Sequence, residues 1–269
     1  MPAGKVSFAE VLTRSFSFVF GNFRLFFHVV TVPWILSLLI RVAGAALVDE
    51  SPLSALIEKA LDVLPTIMFM VAWMRVVLLG PNAPGTVPTF GWSARDTAFL
   101  GHFLRIGGIT FLLVAAFTLV VGELHPAQFG TLSTDPDIAR REAMAAPLGT
   151  GFVVSALLAL RVSFGLAATA VDVPFSPRQS WAYSRGNGWA IIGALFVIFF
   201  ASGIATLVMM TLAQTLVLNL FGAEVAAAIV AWTVAIFLSY LGAGLAATAQ
   251  AIVFRRLTGW RDGAPLPAP

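Results

Sequence analysis

Residues 186–223 read GNGWAIIGALFVIFFASGIATLVMMTLAQTLVLNLFGA, and after a single Glu224 residues 225–254 read VAAAIVAWTVAIFLSYLGAGLAATAQAIVF; neither stretch holds a charged residue. A helix rises 1.5 Å per residue, so roughly 20 apolar residues cross the ~30 Å of bilayer hydrocarbon. Both stretches are longer than that. Hydrocarbon offers no partner to backbone N–H and C=O groups, and a helix satisfies them within itself. Residues 188–214 and 223–254 are therefore predicted to be transmembrane helices.

Four further runs have the same character: 23–47, 63–80, 102–122 and 148–171. The weakest is 63–80, with Pro65 near its start and Arg75 near its end. The whole chain is 59% hydrophobic and 11% charged, against about 25% charged in a soluble domain. A chain this apolar cannot cover its own core with polar surface. Residues 1–269 thus read as a single integral membrane domain, an all-α polytopic bundle of six transmembrane helices. The run at 23–47 is longer than the roughly 7–15-residue core of a signal peptide and follows an amphipathic segment, so it reads as an uncleaved first span.

Charge placement tests the count. Alternating the loops between two sides puts eleven basic residues on one side: Lys5, Arg14, Arg24, Arg75, Arg95, Arg105, Arg178, Arg185, Arg255, Arg256 and Arg261. The other side holds four, Arg41, Lys59, Arg140 and Arg141, among nine carboxylates, and Arg161 falls inside a span. Basic residues collect on the cytoplasmic side. An odd number of spans scrambles this partition, so six spans with both termini cytoplasmic are expected. The net charge of +3 is explained by this scatter of single basic residues at span ends, and nucleic acid is not an expected partner. The chain has no cysteine, which excludes disulfides and thiolate chemistry. Fourteen of its sixteen basic residues are Arg, which points to a GC-rich bacterial genome and so to a bacterial inner membrane.

The outer loops carry two helix-start signals, Ser51-Pro52 before Leu53 and Asp135-Pro136 before Ile138, each an N-cap with Pro at the first helical position. Two short amphipathic helices on the outer surface are expected there. Glu123 with His125, and Asp135 with Asp137, are weak candidates for a pair or a cation contact, and solvated or capping groups are the simpler reading.

A threefold pattern runs through the chain. Gly21-Asn22-Phe23-Arg24, Gly101-His102-Phe103-Leu104-Arg105 and Gly186-Asn187-Gly188-Trp189 each open an apolar span. Each follows a short segment with a helix-start signature: Ser7 with Glu10, Ser93 with Asp96, and Ser176 with Gln179 behind Pro177. In such a capping box the hydroxyl accepts from the third backbone N–H and the acidic or amide side chain bonds back. The segments mix rings with guanidinium groups: Arg14 and Phe16; Trp92 and Arg95; Arg178, Trp181 and Arg185. Helices of this kind lie in the interface, rings at headgroup depth and cations toward anionic lipid. The Gly-Asn or Gly-His pair then lets the chain turn into the membrane. The returning spans match as well, since Gly165-Leu166-Ala167-Ala168-Thr169-Ala170 recurs as Gly244-Leu245-Ala246-Ala247-Thr248-Ala249. Three two-helix repeats, 5–80, 90–172 and 175–256, each with an interfacial helix, are expected.

The motifs Arg14-Ser15-Phe16, Gly21-Asn22-Phe23-Arg24-Leu25-Phe26 and Ser180-Trp181 through Arg185-Gly186-Asn187-Gly188-Trp189 resemble a bacterial six-span family. It includes the membrane domain attached to some glycerophosphodiester phosphodiesterases and many stand-alone membrane proteins. The resemblance implies a six-span fold and a link to the membrane or its lipids. It implies no catalytic residue, because the family's hydrolase domain has no counterpart in these 269 residues.

Chemistry-bearing constellations are few. His28, His102 and His125 have no metal-ligand spacing and read as interfacial hydrogen-bonding groups. Neither a phosphate-binding Gly-rich loop nor a Gly-x-Ser-x-Gly elbow is present. No metal or cofactor is expected. Arg161 stands out: counted back from Asp172 along a straight helix it lies roughly 16 Å deep, near the midplane, where an Arg costs about 2.5–3.5 kcal/mol. Arg75 and Tyr240 occupy the corresponding repeat positions, so Arg75, Arg161 and Tyr240 form a candidate polar centre, either a hydrogen-bond network holding the bundle together or an anion or headgroup site. Arg75 is close enough to the inner surface to snorkel. The candidate lipid-interface set is Arg14, Asn22, Arg24, Trp92, Arg95, Arg178, Trp181, Arg185, Asn187 and Trp189. Three functions compete: a non-enzymatic protein that binds or organises lipid, with membrane lipids and anionic headgroups as partners; a small transporter or channel for an anion or headgroup; and an intramembrane lipid enzyme, for which no nucleophile, base or ligand set is found.

Overall fold

The computed structural model describes residues 5–47, 52–87, 91–124, 136–263 and 266, with the side chains at 47, 52, 55, 121–124 and 136–148 outside that description. Among these residues all regular structure is helical: α1 (Phe8–Gly21), α2 (Phe23–Leu47), α3 (Pro52–Leu79), α4 (Ala94–Leu124), α5 (Pro136–Val162), α6 (Gly165–Ala170), α7 (Pro177–Tyr183), α8 (Gly188–Phe221) and α9 (Glu224–Thr258). Five helices hold apolar stretches long enough to cross a membrane: Phe23–Ala46, Leu56–Leu79, Ala94–Val120, Gly188–Phe221 and Glu224–Thr258. A shorter apolar stretch, Gly149–Val162, lies in α5. The protein is a multi-pass helical membrane bundle. Large apolar side chains such as Phe111 and Leu112 on α4, Phe200 on α8 and Val225 on α9 stand exposed. Lipid is the medium in which such faces are at ease.

The bundle is built from neighbours in sequence: α2 packs on α3, α4 on α5 and α8 on α9. Its two ends are defined by contacts. At what we call the basal end, the backbone N–H of Val6 donates to Asn187 Oδ1 at 2.8 Å, Glu10 of α1 lies 3.9 Å from Arg256 of α9, and Arg255 donates to the Leu78 carbonyl near the end of α3. The start of α1, the end of α3, the start of α8 and the end of α9 therefore share one layer. At the distal end Arg41 of α2 meets Glu58 of α3 at 2.8 Å and stacks over Trp232 of α9 at 4.9 Å.

An aromatic part of the core forms where α9 crosses α2 and α3. Phe26 sits edge-on to Phe69 and Trp73 at centroid distances of 5.7 and 5.3 Å, a favoured geometry for aromatic pairs. Trp73 Nε1–H donates to the Gly244 carbonyl and to Thr248 Oγ1. A Cβ on Gly244 would lie 2.7 Å from Phe26, so the glycine is what admits the ring. Its counterpart Gly165 plays a parallel part, since a Cβ there would lie 2.5 Å from Ser180 Oγ and 3.0 Å from Phe175. A ladder of stacked rings, Phe16, Phe20, Phe23 and Phe26, runs from α1 into this core at spacings of 6.0, 6.4 and 5.9 Å.

Several expectations are corrected. The helix-start signals at Ser51-Pro52 and Asp135-Pro136 do not open separate surface helices; Pro52–Leu79 and Pro136–Val162 are single helices that run on into the bundle. Pro65 leaves α3 unbroken, and beside it the Thr66 hydroxyl donates to the Asp62 carbonyl. Ser51, His125 and Asp135, and the side chains of Glu123, Asp137, Arg140 and Arg141, lie outside the described residues. Gly101-His102 makes no turn, because α4 continues from Ala94 through it; Gly101 meets no close neighbour and the His102 ring is engaged elsewhere. The turn does occur at Asn22, whose amide donates to the Phe18 carbonyl, and at Gly186, which takes a φ of +79°. The Ser7 box does not form, and Glu10 pairs with Arg14 instead. The boxes at Ser93 with Asp96 and Ser176 with Gln179 do form. The 148–171 run is broken: α5 stops at Val162, and buried Phe164, 6.0 Å from Phe175, separates it from α6.

Candidate functional site

The expected polar centre does not assemble. Arg75, Arg161 and Tyr240 each have different partners. The Tyr240 hydroxyl bonds Ser37 at 2.8 Å and donates to the Pro33 carbonyl at 3.3 Å, deep between α2 and α9. The hydroxyl thus ties α9 to the α2 backbone at Pro33. This is an interhelical lock.

Arg75 does not snorkel to water. It is 6% exposed, and its guanidinium is used on three sides. Nε and Nη2 donate to the Pro84 carbonyl at 2.9 and 2.7 Å, Nη1 donates to the Ala170 carbonyl at 3.0 Å, and Asp172 lies 3.5 Å away. Asp172 also accepts three bonds from Arg95, two from Nε and one from Nη2, at 2.6–3.0 Å. The clamp joins α3, the 80–87 turn, the start of α4 and the loop after α6. Gly85, at φ +73°, makes room for it, since a Cβ there would lie 3.2 Å from Arg95 and 3.4 Å from Arg75. Asp172 itself adopts φ +61°, a conformation Asp tolerates better than most residues. Sequence reading missed Asp172 as the partner, because spacing does not reveal which loop folds back on α3. Arg95 is thereby withdrawn from the lipid-facing set.

Arg161 is not at the midplane. The straight-helix count from Asp172 fails because the chain bends after Val162, which leaves Arg161 in the last turn of α5. Its guanidinium stacks on the Trp181 ring of α7 at 3.6 Å, and Nε donates to Ser184 Oγ at 3.0 Å. Ser184 in turn donates to the Trp181 carbonyl. Among the described residues neither Nη has a bond. Beside it a cavity of about 500 Å³ is lined by Val154, Leu157, Leu158, Arg161, Gly186, Gly188, Trp189 and Ile192. On another face of α5 a smaller apolar cavity of about 270 Å³ lies between α4 and Trp181.

A larger cavity, about 610 Å³, lies at the basal end between α1 and the end of α9, with Arg14, Arg255, Arg256 and Arg261 facing Glu10 and Asp262. Most of this charge is internally spent: Glu10 pairs with Arg14 and Arg256, and Arg255 holds Leu78. At the distal end a cavity of about 410 Å³ runs from Arg41 and Lys59 to Tyr240.

The remaining interface candidates divide. Arg24, Arg178 and Arg185 are exposed, as are the rings of Trp92, Trp181 and Trp189, the last at 81%. Asn187 is buried and serves as acceptor for Val6, so it is structural. His28 is exposed. His102 is buried, with Nδ1 3.3 Å from Thr169 Oγ1, so it is not interfacial. No group of three or more His, Asp or Glu suited to a metal occurs among the described residues. No protein-family model, no curated protein and no solved structure matches the chain.

Proposed function

We propose that the protein is a six-span, non-enzymatic membrane protein that binds or organises lipid at the cytoplasmic interface, its basal end lying in the headgroup layer of the inner membrane. One observation carries this reading: exposed rings and exposed guanidinium groups occur together on the basal helices α1 and α7 and at the starts of α2 and α8, with the Trp92 ring just ahead of α4. Phe8, Phe16, Phe20, Trp92, Trp181 and Trp189 supply the rings; Arg14, Arg24, Arg178 and Arg185 supply the charge. Amphipathic rings settle at the water boundary and cations at anionic headgroups. The resemblance to the membrane domain of the phosphodiesterase family fits the same reading. An even number of passes is supported by the meeting of α1 with the end of α9, with α5 as the sixth.

Reconstitution in vesicles tests the function. Tryptophan emission should be quenched more by brominated phosphatidylglycerol than by brominated phosphatidylcholine at equal mole fraction, and Trp189→Phe should reduce the difference. Equal quenching by the two lipids would remove the case for a preference. Topology is tested separately, in a chain whose native sequence has no cysteine. Single cysteines introduced at positions 5 and 262 should resist an impermeant thiol reagent applied to intact cells. Labelling of one alone from outside would overturn the even number of spans, and labelling of both would overturn the cytoplasmic placement of the termini.

The transporter reading finds less support. Arg75, Arg161 and Tyr240, the expected polar centre, have separate partners, and Arg161 lies in the last turn of α5. The cavity at Arg161 is lined on α5 only from Val154 to Arg161, about 10 Å of helix.

A further inference from the structure

We infer that the cleft between α5 and α8 is a discrete binding site for one anionic phospholipid, its phosphate held by the Nη groups of Arg161, which have no bond among the described residues, and its first acyl carbons lying along α5. The inference rests on the proposed placement of the basal end in the headgroup layer, and it names the lipid class and the residues of one site there.

Arg161 is prepared for an anion in a way that the other basal arginines are not. Its guanidinium plane is fixed by the Trp181 face at 3.6 Å and by the Nε bond to Ser184. A stacked guanidinium loses little freedom when it binds, and its two Nη groups present the fork that matches phosphate oxygens. No carboxylate lines the cavity among the described residues, whereas the larger α1–α9 cavity contains Glu10 and Asp262. Arg185, another cation, lies close enough to act on Arg161. A net negative headgroup is favoured there, and a quaternary ammonium is disfavoured.

The shape fits a lipid better than a soluble phosphate. Val154, Leu157, Leu158 and Ile192 continue the cavity away from Arg161, so a ligand with a charged head and an apolar tail fills both parts. Trp189, largely exposed, flanks the mouth at the level where the head would lie. The backbone also makes room: a Cβ on Gly188 would lie 3.1 Å from Arg161 Nε. The N-cap side chain of α8, Asn187, is occupied by Val6.

The test is native mass spectrometry of the full chain in detergent, titrated with phosphatidylglycerol, phosphatidylcholine or soluble glycerol phosphate. The wild type should retain one phosphatidylglycerol at least about tenfold more tightly than phosphatidylcholine, and Arg161→Gln should abolish that difference. Gly188→Ala, which displaces the guanidinium without removing it, should weaken retention severalfold; it keeps the test open should the Arg161 variant misfold. Soluble glycerol phosphate should not compete at equal concentration. Competition by it would show a free-phosphate site and overturn the lipid assignment. Retention by folded Arg161→Gln and Gly188→Ala equal to wild type would also overturn it. The two readings fail separately: vesicle preference without Arg161-dependent retention sinks only this site, and retention without bulk preference sinks only the broader function.

Discussion

Arg75 and Arg161 occupy matching positions in the sequence pattern, yet the regions around them differ in kind. The guanidinium of Arg75 is buried and saturated by the carbonyls of Pro84 and Ala170 and by Asp172. Among the described residues that of Arg161 has one hydrogen bond and one stacked ring, and it opens on a cavity. A glycine makes room for each, Gly85 for the first and Gly188 for the second. The same residue type at an apolar helix end thus does two jobs. Where every donor is matched by protein, the arginine ties elements together; where donors are left over at a lipid-facing edge, it can recognise a ligand.

The largest expected effect separates these roles by stability. Arg75→Gln strips the Pro84 and Ala170 carbonyls of a charged donor in a buried setting, and should cost about 3 kcal/mol in reversible unfolding in mixed micelles. A loss below about 1 kcal/mol would break the distinction. Next comes Asp172, which is more than half exposed and so is not as deeply committed. Asp172→Asn removes the ion pairs while keeping a residue tolerant of φ +61°, and should cost no more than about 1 kcal/mol. Asp172→Ala adds left-handed strain and should cost about 1 kcal/mol beyond that. If the two variants unfold alike, the strain argument is wrong. The smallest effect belongs to Arg161→Gln, expected to lower stability by about 0.5 kcal/mol, because the lost Trp181 stacking is at a partly exposed site. A cost equal to that of Arg75→Gln would make Arg161 a second clamp.

Much of the bundle was legible because the signals were local. Absence of charge over 186–223 and 225–254 requires helices in lipid whatever their neighbours do. Ser93 with Asp96 and Ser176 with Gln179 are spaced so that short side chains reach the third N–H, and both boxes form. The recurrence of Gly165 and Gly244 marked two places where an aromatic ring or a neighbouring helix comes close. The rings and cations of α1 and α7 were read as surface groups from their mixture alone, and most of them are exposed. Readings failed where a side chain's partner is remote in sequence. Glu10 has the spacing of a capping residue, but Arg14 and Arg256 offer it charge. Asn187 resembles Asn22, yet Val6, far away in the chain, takes its side chain.

The amino-acid sequence by itself determined that this chain is a helical membrane bundle, because the transfer of apolar residues to lipid and the need to satisfy the backbone there act on each segment independently. It did not determine which basic residue would be saturated and which left open. That depended on the bend after Val162, where Phe164 packs against Phe175, and on the fold-back of Asp172 onto Arg75 and Arg95. Such contacts exist only once distant helices have met, and they moved Arg161 from an apparent midplane position to a ring-lined edge.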